Sequence, residues 1–193
     1  MTCIVGIETA TGVWMGCDSA GGIPSEYWVT ETELLKVFHN GPFMIGYTSS
    51  FRMAQLLQYQ LDTDQLEAQH EDESDVAYLV RVVVEAIREL FKDHGFAEIE
   101  SNVERGGVFM IAYRGKLYEV HANYQVFRRR DRYAAIGCGQ HYAEGALYIT
   151  GQQGFTPATR IELALEAAAK YSAYVRPPFH LEAQLLEGEA DED

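Results

Sequence analysis

The sequence predicts an α+β chain in which antiparallel sheets are covered by helices. Three observations carry that expectation. Short apolar runs come in pairs joined by turn signals, and two regions show the 3.6-residue apolar period of amphipathic helices. The blocks follow one another as strands, two helices, strands, two helices, strand. Strands in hairpins make antiparallel sheets, and each helix pair must bury its apolar stripe. Two helical layers enclosing a two-sheet core satisfy both demands.

Residues 2–8 and 12–18 read as a hairpin turned at Thr11-Gly12, with Val5, Ile7, Val13 and Met15 among its apolar positions. Residues 19–33 read as a loop rich in Gly, Ser and aromatics. Tyr27 and Trp28 in that loop either line a substrate pocket or pack on a neighbour or the core. Residues 34–39 and 43–48 form a second hairpin around Asn40-Gly41, a strong turn signal. Residues 50–61 carry Met53, Leu56 and Leu57 at helical spacing. After an acidic stretch from Asp62 to Asp75, Ser74 is placed to cap a helix over 75–94, with Asp75 in its first turn.

Residues 107–113 and 116–121 give a third hairpin around Arg114-Gly115, and 124–127 and 133–137 give further strands. Gly137-Cys138-Gly139 leads into a helix over 140–150. Thr156-Pro157 starts another, cap then proline, running to Tyr174 and ended by Pro177-Pro178. Residues 179–185 make the last strand. The expected organisation is one domain over 1–186 and an acidic tail over 187–193, where five of seven residues are acidic.

The net charge of −14 argues against nucleic-acid binding, which depends on neutralising phosphates with Lys and Arg. The one basic cluster, Arg128, Arg129, Arg130 and Arg132, has no interleaved aromatics and reads as a hairpin-end surface or a subunit contact. No run reaches the roughly 18–20 apolar residues of a membrane span. The sequence opens in a strand with no basic, apolar leader, so a cytoplasmic protein is expected. Cys3, Cys17 and Cys138 have neither disulfide-framework nor metal-ligand spacing, and no cofactor motif is present. A phosphate-binding Gly-x-x-x-x-Gly-Lys-Ser/Thr loop is missing, so any ATP dependence must come from a partner.

Chemistry is suggested first by Thr2. Methionine removal would leave a threonine carrying a hydroxyl and a free α-amine of unperturbed pKa about 7.7–8.0, and such an amine can serve as base for its own hydroxyl. Asp18 stands at a strand end, where it either caps a turn or serves a site. Lys36 lies among Leu34, Leu35, Val37 and Phe38; it is either an edge residue with its head in water or a buried cation that needs a partner. Gly46 either relieves a close backbone contact or leaves an N–H open to an oxyanion.

Taken in order, these segments resemble a proteasome β-subunit, and most closely its HslV branch, over most of the chain. The resemblance rests on Thr2-Cys3-Ile4-Val5-Gly6-Ile7, Gly16-Cys17-Asp18-Ser19, Lys36-Val37-Phe38, Ile45-Gly46-Tyr47-Thr48-Ser49, the Ala135–Ala143 segment, and Ala164–Ala168 with Tyr174. It implies a four-layer αββα N-terminal-nucleophile (Ntn) hydrolase sandwich acting as a threonine-type endopeptidase. Thr2 would attack the peptide carbonyl, with its amine moving the proton through a water. Lys36 would favour the deprotonated nucleophile, Asp18 would orient Lys36, and the Gly46 N–H would hold the oxyanion. Homo-oligomeric rings, a peptide substrate and a separate ATPase unfoldase are the implied partners.

The chain departs from the family pattern in places. Ala20 replaces an arginine and Cys138 a serine, and Ser172 and Val175 stand where the family has a late Asp and Ser. Cys138 and Ser172 still offer hydrogen bonds, though a thinner network. Two other readings stand beside the peptidase: a catalytically silent assembly protein on the same fold, and an amidohydrolase acting on a small amide.

Overall fold

The computed structural model describes residues 2–23 and 28–186. Met1, Tyr27, the Trp28 side chain and the acidic tail 187–193 lie outside the described residues.

Strand β1 (Cys3–Glu8) is buried along its whole length, and β2 (Gly12–Cys17) returns beside it. A two-stranded ribbon follows, β3 (Ala20–Ile23) and β4 (Trp28–Glu31), and then the hairpin β5 (Val37–Asn40) and β6 (Phe43–Tyr47). Helix α1 (Phe51–Tyr59) is capped by Ser50, whose side chain accepts from the Arg52 N–H. Helix α2 (Asp75–Tyr78), a π-helical turn (Leu79–Val83) and α3 (Val84–Asp93) run on as one helix. The cap is the expected one: the Ser74 side chain accepts from the Ala77 N–H.

A small ribbon, β7 (Glu98–Glu100) and β8 (Val103–Arg105), precedes β9 (Phe109–Tyr113), β10 (Lys116–Val120), β11 (Val126–Phe127) and β12 (Tyr133–Gly137). Helices α4 (Gln140–Thr150) and α5 (Pro157–Tyr171) and strand β13 (His180–Leu185) complete the described chain. Thr156 caps α5 by accepting from the Thr159 N–H, with Pro157 in the first turn.

The strands form two antiparallel sheets, β12–β1–β2–β13 and β11–β10–β9–β6–β5. Three apolar clusters hold the layers together. Between the sheets, Ile4, Val13 and Met15 meet Val37, Met44 and Met110. Cys3, Val5 and Ile7 point the other way from β1, onto Leu147, Ile161 and Leu165 of α4 and α5. Phe43, Ile45 and Tyr47 leave the second sheet toward Met53, Leu57, Ile87 and Phe91 of α1 and α3. Period-2 alternation on β1 and β6 therefore feeds two cores from each strand, and the result is the four-layer αββα sandwich.

The structure differs from the expected elements in four places. Part of the expected loop 19–33 is the β3–β4 ribbon, with Ala20 opposite Glu31; Gly21 and Gly22 erase its side-chain alternation. Strand β5 begins at Val37, so Lys36 stands just ahead of it. The β7–β8 ribbon was not expected: Ile99 is 79% exposed and Val103 45%, so no buried face marks it. Its turn is set instead by positive φ at Ser101 (51°) and Asn102 (64°). Helix α5 stops at Tyr171, short of Tyr174.

Three arginines of the basic cluster pair with carboxylates while keeping much of their surface in solvent. Arg128 and Arg132 pair with Glu8, and Arg129 pairs with Glu119 and Glu144. Burial pushes the Glu8 carboxyl up. The Arg128 hydrogen bond, the Leu117 N–H and the charges of Arg128 and Arg132 more than reverse this, and it titrates below the usual carboxylate range. No described helix is long and apolar enough to cross a membrane.

Candidate active site

Thr2 leads into β1, a strand with a neighbour on each side: Cys3 lies opposite Gly137 of β12, and Ile4 opposite Cys17 of β2. Thr2 is 4% exposed. Its nitrogen donates to Cys138 Sγ at 3.4 Å, and its carbonyl lies 3.4 Å from the same sulfur. That nitrogen is here the peptide nitrogen after Met1, and stands in for the α-amine of a processed chain. Gly137, at φ +96°, makes the approach possible, because a Cβ there would overlap the Thr2 carbonyl oxygen. Ser172, at the end of α5, brings its hydroxyl to 3.6 Å from Cys138 Sγ.

Asp18 follows the residue of β2 that pairs with Ile4, so its side chain meets the start of β1. Its Oδ1 accepts from the Cys3 N–H at 2.9 Å and from Lys36 Nζ at 2.8 Å. Its Oδ2 accepts from the N–H groups of Ala20 at 2.9 Å and Arg176 at 3.3 Å. Both side chains of the Asp18–Lys36 ion pair are 0% exposed. The lysine in the apolar run is thus the buried, paired one of the two readings. Burial, with Asp18 and Cys138 adding to it, pushes the Cys3 thiol far above its usual range, and burial takes Cys17 to about 11. Both sulfurs are protonated core atoms near neutrality.

Gly46 is not where an oxyanion donor has to be. In β6 the Tyr47 N–H bonds to Lys36 and the Thr48 N–H to Val108. Antiparallel alternation therefore aims the Gly46 N–H into the ladder, at its partner Met110 in β9. The missing side chain serves packing between the sheets, because a Cβ would come 2.7 Å from Ile4 Cγ2 and 3.2 Å from Met15 Sδ. The segment that faces Thr2 comes just after it. Thr2, Gly22, Tyr47, Thr48, Ser49, Ser50 and Phe51 line a cavity of about 50 Å³. Ser49 sits at φ +76° and the Ser50 N–H returns to the Thr48 carbonyl at 3.0 Å, a tight turn that delivers the chain into α1. The N-terminus of α1, with its positive dipole end, is at this wall.

A larger cavity of about 490 Å³ opens beside Cys138, with Thr48, Ser49, Glu119, His121, Arg129 and His141 among its walls. The structure thus gathers Thr2, Asp18, Lys36, Cys138 and Ser172 at one end of the sheets and leaves Gly46 in the ladder. The hydroxyl turn 48–50 and the Glu119–Arg129 wall were missed. The run Thr48-Ser49-Ser50 directly before a helix was the available signal for the first. Among the described residues no group of His, Cys, Asp and Glu side chains is arranged to hold a metal ion.

Two antiparallel sheets between helical layers, with a threonine at the start of a central strand, define the Ntn-hydrolase fold in its proteasome-β-like form. The chain is similar in structure to BPH of Thiobacillus denitrificans, with a TM-score of 0.79 and 18% identity over 97% of this chain and 100% of that one. The same protein in complex with epoxomicin gives 0.78 at 18% identity, over 96% of this chain and 100% of that one. Eukaryotic HslV from Trypanosoma brucei gives 0.65 at 16% identity, covering 94% of this chain and 98% of that one. The Gly-1 mutant of Anbu from Hyphomicrobium sp. strain MC1 gives 0.65 at 16% identity, covering 96% and 82%. No family model matches the sequence and no curated relative does, so the likeness is one of fold.

Proposed function

We propose that this chain is a threonine-type endopeptidase that works once Met1 has been removed. The observation that carries the reading is the setting of Thr2. Its nitrogen lies against Cys138, the Asp18–Lys36 ion pair is bound to the very next backbone N–H, and a hydroxyl-lined cavity opens in front of it.

Thr2 Oγ adds to the substrate carbonyl carbon as its proton passes to the Thr2 amine. The carbonyl oxygen takes the negative charge. The backbone N–H groups of Ser49 and Phe51, which the turn leaves without a backbone acceptor among the described residues, and the α1 dipole stabilise it, a contribution of about 3 kcal/mol for one well-placed donor. The C–N bond then breaks, the amine proton goes to the leaving nitrogen, and water hydrolyses the acyl ester. Lys36 favours the deprotonated nucleophile by its charge, and Asp18 fixes Lys36 in place. Cys138 holds the amine, and Ser172 backs the Cys138 sulfur.

The likeness to HslV and to Anbu, an ancestral β-subunit by its description, supports a homo-oligomeric ring or stacked rings enclosing the sites. A separate ATPase unfoldase would then deliver unfolded substrate. Epoxomicin, the compound in the BPH complex, is a direct probe. Protein that has lost Met1 by intact mass is expected to gain the compound's mass and to hydrolyse peptides, and Thr2→Ala to do neither. Hydrolysis undiminished in Thr2→Ala overturns the reading. A chain that keeps Met1 quantitatively is not a threonine hydrolase, and the assembly-protein reading then takes its place.

A further inference from the structure

Resting on that peptidase reading, we propose that the cavity beside Cys138 is a subsite for a cationic substrate side chain, a lysine or an arginine next to the scissile bond. The two cavities at Thr2 differ in kind. The smaller, of about 50 Å³, is walled by hydroxyls and two rings, with no charged side chain among its described residues. The larger, of about 490 Å³, shares Thr48 and Ser49 with it and lies across that turn, so a chain crossing Thr2 reaches both.

The larger cavity has one carboxylate, Glu119, and one fixed cation, Arg129, in its wall. Each nitrogen of the Arg129 guanidinium faces a carboxylate. Nε donates to Glu119 Oε1 at 2.5 Å, Nη2 to Glu119 Oε2 at 3.1 Å, and Nη1 lies 2.6 Å from Glu144 Oε1. Two carboxylates thus share one guanidinium and leave a net negative charge behind the wall. The Glu119 side chain is 3% exposed, so this charge is poorly screened. His121 Nε2 faces Glu119 Oε2 at 3.7 Å, beyond hydrogen-bond length, and makes no hydrogen bond in the structure. An ammonium or guanidinium lodged at that gap donates to both atoms. A carboxylate there meets Glu119 and finds the Arg129 nitrogens occupied. The remaining polar walls are Thr48, Ser49, Cys138, Gln140 and His141.

The test uses the Thr2→Ala chain, which cannot turn over, and two probes of matched length: Nα-acetyl-lysine methylamide and Nα-acetyl-norleucine methylamide. Binding is read from the His121 imidazole resonances, alongside cleavage-site profiling of the Met1-free wild-type chain on a mixed peptide library. The lysine probe is expected to shift His121 and to bind about tenfold tighter than norleucine, the scale of one hydrogen bond to a charged group. His121→Phe is expected to remove that difference while leaving norleucine binding unchanged. Cleavage is expected to show Lys or Arg enriched on one side of the scissile bond. Equal binding of the two probes, or tighter binding of a glutamate probe, overturns the proposal. A lysine preference in binding with no hydrolysis by the wild-type chain sinks the peptidase reading alone, and hydrolysis with no basic preference on either side sinks this inference alone.

Discussion

Replacing either member of the Asp18–Lys36 pair should destabilise the fold by amounts that differ in a foreseeable order. The pair is 2.8 Å long with both side chains fully buried. Removing one partner of such a pair typically costs about 3–5 kcal/mol, because the other is left as an uncompensated buried charge. The two remnants here are not alike. In Lys36→Met the Asp18 carboxylate keeps three N–H donors, from Cys3, Ala20 and Arg176. Bonds to a charged acceptor are worth about 1.5–3 kcal/mol each, so much of the charge stays solvated by backbone, and the loss should sit near 2–3 kcal/mol. Asp18→Ala strands the ammonium, whose hydrogen bond goes to Asp18, and also orphans three N–H groups, so its loss should be about 5 kcal/mol or more.

For a domain of this size 1 kcal/mol moves Tm by about 2–4 °C, which separates the two variants by roughly 5–10 °C. Thermal and urea unfolding of the two single variants and of the double Asp18→Ala/Lys36→Met variant would measure it. The double variant should be markedly more stable than the sum of the single losses predicts. Lys36→Met as damaging as Asp18→Ala, or strict additivity, would refute the assignment of Asp18 as the backbone-anchored member of the pair.

Three further outcomes are expected. Gly46→Ala should lower stability by about 1–3 kcal/mol, since its Cβ meets Ile4 and Met15 between the sheets; Gly145→Ala, within α4 and with nothing within 4 Å of its Cβ, should raise stability by about 1 kcal/mol, both read by Tm. Iodoacetamide should label native protein at the exposed Cys138 and spare Cys3 and Cys17, which are buried and held protonated; peptide mapping of Cys17 labelling without denaturant would contradict this. Glu8 has a folded pKa below its ordinary value, so its share of stability is present above the unfolded pKa, near 4.5, and is lost as pH falls through the lower folded value. Glu8→Gln should therefore be less stable than wild type at pH 7 and converge on it toward pH 3.

The legible parts of the fold were those in which a local rule and the tertiary structure agree. Ser74 and Thr156 cap helices because a side-chain oxygen before an apolar period has few other uses. The hairpin expected at Asn40-Gly41 forms with its turn one residue on: Asn40 pairs with Phe43, and Gly41-Pro42 make the loop. The ribbons were illegible because neither signals itself through a buried face: β7 and β8 are exposed or half-exposed, and β3 spends two of its four residues on glycine. At the site, Lys36 could be singled out because an ammonium in an apolar run demands a partner. Gly46 misled because a glycine needed for close sheet packing and one needed to expose an N–H look identical in sequence; only ladder parity tells them apart. The Glu119–Arg129–Glu144 wall had no sequence signature, its members being 10 and 15 residues from Arg129 on separate elements.

The position of Thr2 also explains why the site sits where the sheets meet the chain start. A chain terminus is ordinarily the least ordered part of a domain, while the nucleophile proposed for this chain would have to be held to within about half an ångström. Strand β1 reconciles the two. It is a central strand, paired with β12 from its first residue, Cys3 with Gly137, and with β2 from its second, Ile4 with Cys17. Its side chains enter the inter-sheet core and the α4–α5 core alternately. Asp18 then ties the Cys3 N–H and Lys36 to one carboxylate oxygen. The rigidity of Thr2 is therefore inherited from the middle of the fold rather than built at its edge. A substitution that loosens the β1–β2 pairing should cost the positioning of Thr2 before it costs the global fold.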